Sequence, residues 1–168
     1  MAGNVTNVVI AGLGGQGVLK ASDILSDAAF RGGRDVKKSE IHGMSQRGGS
    51  VTSDVRFGAE VLSPMVPAGE ADFLVVLTPD QVEVNRPMLR EGGTLISPAD
   101  IDEAALPNRR SLNVALLGVL SKHLDIAEPD WLAAIRANLP ERVHEPNVKV
   151  FREVRAGPGP GEPSARNA

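Results

Sequence analysis

A short apolar run, a glycine-rich turn and a helical repeat follow one another over residues 7 to 31. No other stretch limits the fold as tightly. The run is Asn7-Val8-Val9-Ile10-Ala11 and the turn is Gly12-Leu13-Gly14-Gly15-Gln16-Gly17. Val18, Leu19, Ala21, Ile24, Leu25 and Ala28 then fall at helical spacing. β-Branched residues ahead of a glycine turn suit a buried parallel strand. The stretch reads as the first strand–turn–helix of a Rossmann-like unit, with G-x-G-x-x-G spacing and an extra glycine at position 15. In such a unit Gly12 permits the tight turn, Gly14 lets another group approach the backbone, and Gly17 lets helix and strand pack closely. The unpaired N–H groups at the helix start form an anion site. Gly12, Gly14, Gly15, Gln16 and Gly17 are therefore the candidate cofactor-binding residues. The spacing is equally compatible with close helix–strand packing and no ligand.

A dinucleotide site has a second requirement, an acidic residue about 20 positions on, at the end of the second strand. The second strand is expected over Asp35-Val36-Lys37-Lys38-Ser39. Lys37 and Lys38 occupy that zone, whereas Asp35 lies at its start and Glu40 slightly late. Lysines there oppose an NAD ribose. They suit a phosphate instead, and Lys37 joins the candidate cofactor-binding residues.

Composition narrows the chemistry further. The chain of 168 residues suits one compact domain. Its net charge is −3 and only 3% of its residues are aromatic, so nucleic acid is not an expected partner. It has no Cys, which excludes disulfides, cysteine nucleophiles and cysteine-ligated iron–sulfur clusters. No metal ligand set stands out. Met-Ala-Gly-Asn does not begin a signal peptide, and no apolar run is long enough to cross a bilayer. The expectation is a soluble, cytoplasmic protein with no membrane partner.

Gly32-Gly33 ends the first helix. Glu40 to Ser50 shows neither strand nor helix periodicity and reads as a loop, polar and rich in glycine, with His42, Gln46 and Arg47 close together. Loops of this kind often carry function. Val51, Ser53 and Val55 alternate with polar residues as in a half-buried strand. Phe57 to Glu60 reads as a hairpin turn leading into Val61-Leu62-Ser63. Phe73 to Leu77 reads as a second buried strand. A capping box at Thr78-Pro79-Asp80-Gln81 opens a helix that runs to Gly92-Gly93, and Thr94 to Ser97 is the next strand. Pro98 to Pro107 is a connection with one short turn. Helices are expected over Leu112–His123, capped by Ser111, then Asp130–Asn138 and Asn147–Arg155. The domain spans residues 1–156, and the Pro/Gly-rich tail 157–168 is expected to be disordered.

Three stretches together carry a family resemblance. They are Ile10 to Gly17, the Ser39-Glu-Ile-His-Gly-Met-Ser-Gln-Arg-Gly-Gly-Ser50 loop, and Asn113-Val-Ala-Leu-Leu-Gly118. In this order the chain resembles the gamma-type subunit of the 2-oxoacid:acceptor (ferredoxin) oxidoreductases, most of all the beta-subunit type of indolepyruvate:ferredoxin oxidoreductase. The likeness covers roughly residues 5 to 155, and the loop is its most specific part. The resemblance implies a three-layer α/β/α Rossmann-like domain with a mainly parallel sheet, as in the gamma domain of pyruvate:ferredoxin oxidoreductase. It implies an accessory role in the oxidative decarboxylation of an aryl-type 2-oxoacid, such as indolepyruvate, to its acyl-CoA. Thiamine diphosphate, Mg and iron–sulfur clusters then sit in a large alpha subunit, ferredoxin takes the electrons, and CoA is the candidate ligand of the glycine turn. No activity is expected from this chain alone. His42, Gln46 and Arg47 are the site-completing candidates. Arg47 offers a charged donor fork and His42 a proton near neutral pH. One departure from the family is the short stretch from Ile96 to Leu112. It leaves open the gamma subunit of a phenylglyoxylate-type, NAD-reducing complex. A free-standing CoA- or nucleotide-binding module also stays open.

Overall fold

The computed structural model describes residues 4–42 and 49–158. Elements follow in the order β1 (Thr6–Leu13), α1 (Val18–Arg31), β2 (Asp35–His42), β3 (Ser50–Gly58), β4 (Ala71–Val76), α2 (Val82–Asn85), β5 (Leu89–Ile96), α3 (Leu112–Ser121), α4 (Glu128–Asn138) and α5 (His144–Ala156). The five strands form one sheet in the order β2-β3-β1-β4-β5. β1, β4 and β5 are mutually parallel. β3 lies between β1 and β2 and is antiparallel to both, so β2 runs in the direction of β1. Four strands thus point one way and β3 alone opposes them, in a Rossmann-like, mainly parallel α/β sheet.

The two faces of the sheet are covered unequally. Val8 and Ile10 of β1 point to the helix side, where Ile24, Leu25, Leu116, Trp131 and Phe151 close a single large core. Val9 and Ala11 point the other way, into a small core with Leu74, Val76 and Val66. That second face is covered only by the segment 59–70 and by the short helical turns of 79–88, whose Val82 and Met88 pack inward.

The segment after β3 is a strap, and no hairpin forms at Val61–Ser63. Pro64 and Pro67 lack the N–H a ladder needs, which stops this stretch from pairing as a strand. Charged side chains of β2 and β3 hold its backbone instead. Val61 N–H donates to Asp35 Oδ2 at 2.8 Å and Lys37 Nζ donates to the Val61 carbonyl. Arg56 Nη1 donates to the Ser63 carbonyl at 2.8 Å, and Val66 N–H donates to Asp54 Oδ2 at 2.9 Å.

Other local differences have similarly plain causes. Thr78 makes no side-chain cap, and the expected long helix breaks into a 3₁₀ turn at Pro79–Gln81, α2, and a second turn at Arg86–Met88. Pro87 cannot continue a helix. β5 therefore starts at Leu89 and bulges: its register with β4 passes from Ala71↔Leu89 to Phe73↔Thr94, with Gly92 at φ 75°. The capping box sits later, where the Ser97 hydroxyl accepts from Ala99 N–H and Asp100 Oδ2 accepts from Ser97 N–H. The stretch 97–111 holds three 3₁₀ turns, and Asn108 rather than Ser111 caps the last. α5 begins at His144, ahead of the expected Asn147. The expected tail lies outside the described residues beyond Pro158, whose carbonyl accepts from Lys122 Nζ at 2.8 Å.

Asp54 is buried beneath the strap, and burial pushes its carboxyl above the ordinary range against the pull of Val66 N–H and Arg56. A folded-state value above the unfolded one means that the folded chain holds the proton more tightly. Stability is then lost as pH rises through the interval just above the ordinary carboxylate range. Asp54→Asn keeps an acceptor for Val66 N–H and removes the buried charge. It is expected to flatten that part of the stability–pH curve, measured by urea unfolding in small pH steps; an unchanged slope excludes this role for Asp54.

Candidate functional site

In open α/β sheets ligands bind beyond the carboxyl ends of the strands, where successive connections leave to opposite sides. Here that point lies between β1 and β4. The glycine turn occupies it and is closed by three hydrogen bonds. Leu13 N–H donates to Gln16 Oε1 at 2.7 Å, Gln16 N–H to the Leu13 carbonyl at 3.2 Å, and Gly14 N–H to the Gly49 carbonyl at 2.9 Å. The last bond joins the turn to the far end of the 43–49 connection, next to β3.

The glycines share the work differently from the sequence expectation. Gly15 and Gly17 take the positive φ values, 86° and 91°, so the extra glycine is a turn residue. A Cβ on Gly12 would meet Gln16 Oε1 and Val18 Cγ2 at 2.9 Å, so Gly12 is the close-packing position between turn, helix and sheet. A Cβ on Gly17 would lie 2.5 Å from Asn113 Nδ2, which donates to the Gly17 carbonyl at 3.2 Å. Gly17 thus admits α3, and not β1, to close range. Gly17 has no side chain with which to cap α1, and among the described residues nothing accepts from the N–H groups of Gly15 and Val18.

Two cavities open from this turn. One, of about 690 Å³, lies between Gly15-Gln16, Leu77–Pro79 and the segment from Glu103 to Leu112, and Arg109 and Arg110 line it. The other, of about 600 Å³, lies between Gly15–Gly17, Pro107–Asn113 and Leu139–Asn147. Lys20, Arg110 and Arg142 line that one. Among the described residues none of these four cations forms an ion pair. Cations at the positive end of a helix dipole, in a chain of net charge −3, make a local field suited to an anion. Asn147 also lines the second cavity. It is buried, its Nδ2 donates to the Val143 carbonyl at 2.8 Å, and its Oδ1 has no partner among the described residues. A cavity of about 940 Å³ on the outer side of α5 is larger, but its Arg152 and Lys149 pair with Glu128 and Glu153.

The remaining site candidates divide. His42 ends β2, exposed, in a cross-strand row with Val51 and Gly12, and so stands two strands from the turn. Gln46 and Arg47 lie outside the described residues. Lys37 is not at the turn. It shares a row with Arg56 and Asn7, six residues along β1 from Leu13, or about 20 Å at the usual rise of a strand. Its ammonium is held by the Val61 carbonyl and lies 3.9 Å from Asp35. The cause is the length of β2, which runs to His42 and puts His42, not Lys37, at its carboxyl end. Lys38 is bound to Asp23 and Glu40. Burial lowers its pKa, but those hydrogen bonds and charges outweigh burial and hold it above the ordinary value. Lys20, Arg109, Arg110, Arg142 and Asn147 were not singled out from sequence; the adjacent arginines just ahead of α3 were the one available signal. Among the described residues no group of three or more His, Asp or Glu side chains could hold a metal ion.

Fold and site together define a Rossmann-like α/β domain with a cationic cleft at its strand ends. Residues 7–107 match the pyruvate ferredoxin/flavodoxin oxidoreductase family, and the chain belongs to that family. It is 42% identical over 127 residues to indolepyruvate oxidoreductase subunit IorB of Thermococcus kodakarensis, a match that takes in 74% of this chain and 60% of that protein. The chain thus spans about 60% of the length of this relative. Its fold is similar to the gamma subunit of a keto/oxoacid ferredoxin oxidoreductase from Geobacter sulfurreducens, with a TM-score of 0.72, 23% identity, and coverage of 89% of this chain and 96% of that one. It is also similar to a 2-oxoglutarate:ferredoxin oxidoreductase from Magnetococcus marinus solved with 2-oxoglutarate, coenzyme A and succinyl-CoA bound. There the TM-score is 0.78 at 20% identity, covering 90% of this chain and 30% of that one.

The two positive-φ glycines of the turn separate strain from contact. Gly15→Ala is expected to cost about 1 kcal/mol, the strain of a left-handed residue with open space around its Cβ. Gly17→Ala adds the collision with Asn113 and should cost clearly more. Thermal unfolding of both variants checks this; equal losses would remove the Asn113 contact from the account.

Proposed function

We propose that this chain is the gamma-type accessory subunit of a 2-oxoacid:acceptor oxidoreductase that depends on thiamine diphosphate and iron–sulfur clusters. It works in the cytoplasm. The reaction cleaves an aryl-type 2-oxoacid such as indolepyruvate: carbon dioxide leaves, two electrons pass to ferredoxin, and the acyl group is joined to the sulfur of CoA. The observation that carries this reading is the Gly14–Gly49 hydrogen bond, which ties the glycine turn to the end of the loop that carries His42, Gln46 and Arg47. The two stretches that resemble the family most are thus parts of one place. The Thermococcus relative, named for indolepyruvate, supports the substrate class.

CoA is the ligand proposed for the turn. Its phosphates need cations and free N–H groups, and Lys20, Arg109, Arg110, Arg142 and the start of α1 offer both around Gly14, Gly15, Gln16 and Gly17. Its amides also carry N–H donors, which suits the unpaired Asn147 Oδ1. CoA was bound in the Magnetococcus enzyme. Thiamine diphosphate, Mg and the clusters belong to a large alpha subunit, because this chain has no Cys with which to hold a cluster.

Arg110 lines both cavities, so Arg110→Glu tests the cleft directly. In the reconstituted complex it is expected to raise the KM for CoA by about tenfold or more, the loss of one charge-assisted contact to phosphate, with a smaller effect on the 2-oxoacid KM. Gly14→Val should depress CoA-dependent turnover while the domain stays folded. The loop is tested by Arg47→Ala. Unchanged 2-oxoacid oxidation and CoA dependence would leave the loop a docking role only. The isolated chain is expected to oxidise no 2-oxoacid; turnover by the chain alone would end the subunit reading.

A further inference from the structure

Five large apolar side chains stand exposed among the described residues: Phe30, Ile41, Leu62, Met65 and Val84. Phe30 lies near the end of α1, on the helix side. The other four belong to the opposite, thinly covered face. Ile41 shares a row with Thr52 and Ala11, and Ala11 is part of the small core on that face. Leu62 and Met65 ride on the strap, 84% and 54% exposed, while their neighbours Val61 and Val66 turn in at 1% and 4%. Val84 of α2 is 64% exposed, and Val82 packs inward. Strap and α2 each bury one apolar side chain and hold another out. Charged side chains of β2 and β3 fix the strap's backbone in that posture. Apolar groups gathered on one face of a protein mark an interaction surface.

We propose that this face docks the chain onto the large thiamine-binding subunit. The inference rests on the subunit reading above. In the Magnetococcus enzyme a fold of this kind accounts for 30% of one polypeptide, so there it is tied covalently to a much longer remainder. A separate chain must hold that remainder through its surface. The face is also continuous with the proposed loop, since Ile41 adjoins His42 at the end of β2.

The test uses the full chain and the thiamine-binding subunit of the same organism, with affinity read by biolayer interferometry. The double variant Leu62→Glu, Met65→Glu is expected to weaken binding about tenfold or more, as when apolar anchors of an interface are replaced. Its thermal midpoint should match that of the unsubstituted chain, because both side chains already face water. Phe30→Glu should bind normally. Equal binding by the double variant and the unsubstituted chain overturns the docking face and leaves the subunit reading standing. No binding by the unsubstituted chain overturns both. A dimer of the isolated chain that the double variant abolishes, with binding to the large subunit intact, assigns the face to a second copy and overturns the proposal.

Discussion

The antiparallel ladder between β1 and β3 sets the rest of the structure. It pairs all eight residues of β1, from Thr6↔Phe57 to Leu13↔Ser50. In a simple β-α-β unit β2 would lie beside β1. Here the crossover through α1 passes over one position, and β3 fills it. β3 runs against its neighbours, so it must start where β1 and β2 end. The connection from His42 to Ser50 is therefore forced to the carboxyl end of the sheet, beside the glycine turn. Gly14 N–H finds the Gly49 carbonyl for this reason alone.

The third stretch of family resemblance, Asn113 to Gly118, proves to be the brace of this arrangement. Asn113 is buried; its Nδ2 donates to the Gly17 carbonyl and its Oδ1 accepts from Val114 N–H at 2.8 Å. It pins the start of α3 to the start of α1. Five residues on, a Cβ at Gly118 would meet Val154 Cβ at 2.9 Å, so Gly118 lets α5 lie close on α3. Through α3 the glycine turn is linked to the segment that carries Arg109 and Arg110, and through α5 to Asn147. The cleft is thus the meeting place of three helices whose spacing is set by one amide and one missing methyl group.

What could be read in the sequence was what depends on local period. β1, the turn and α1 were legible because a buried parallel strand and an amphipathic helix each repeat a pattern over their own length. The half-buried alternation of β3 was legible too, but not its neighbours, since strand pairing is a non-local choice. The end of β2 was misjudged because Ile41 and His42 are exposed and carry no apolar alternation. That shortening placed Lys37 near the ribose position of a dinucleotide site, when it belongs to the other end of the sheet. The helix expected after Thr78 overlooked Pro87, and the strand expected at Val61 overlooked Pro64. Lys20, Arg110, Arg142 and Asn147 are spread along the chain, and only the packing of α1, α3 and α5 gathers them.

The bulge in β5 determines how the sheet ends. Between the pairs Ala71↔Leu89 and Phe73↔Thr94, residues Arg90 to Gly93 leave the ladder, with Gly92 in the left-handed region. An incoming strand would meet an interrupted row of donors and acceptors there, next to the charged Arg90 and Glu91. That border resists the stacking of chains into fibrils. The molecule's other border, β2, is straight for eight residues and guarded only by its lysines and acids. Growth of the sheet is thereby barred on the β5 side by backbone shape, and on the β2 side by charge alone.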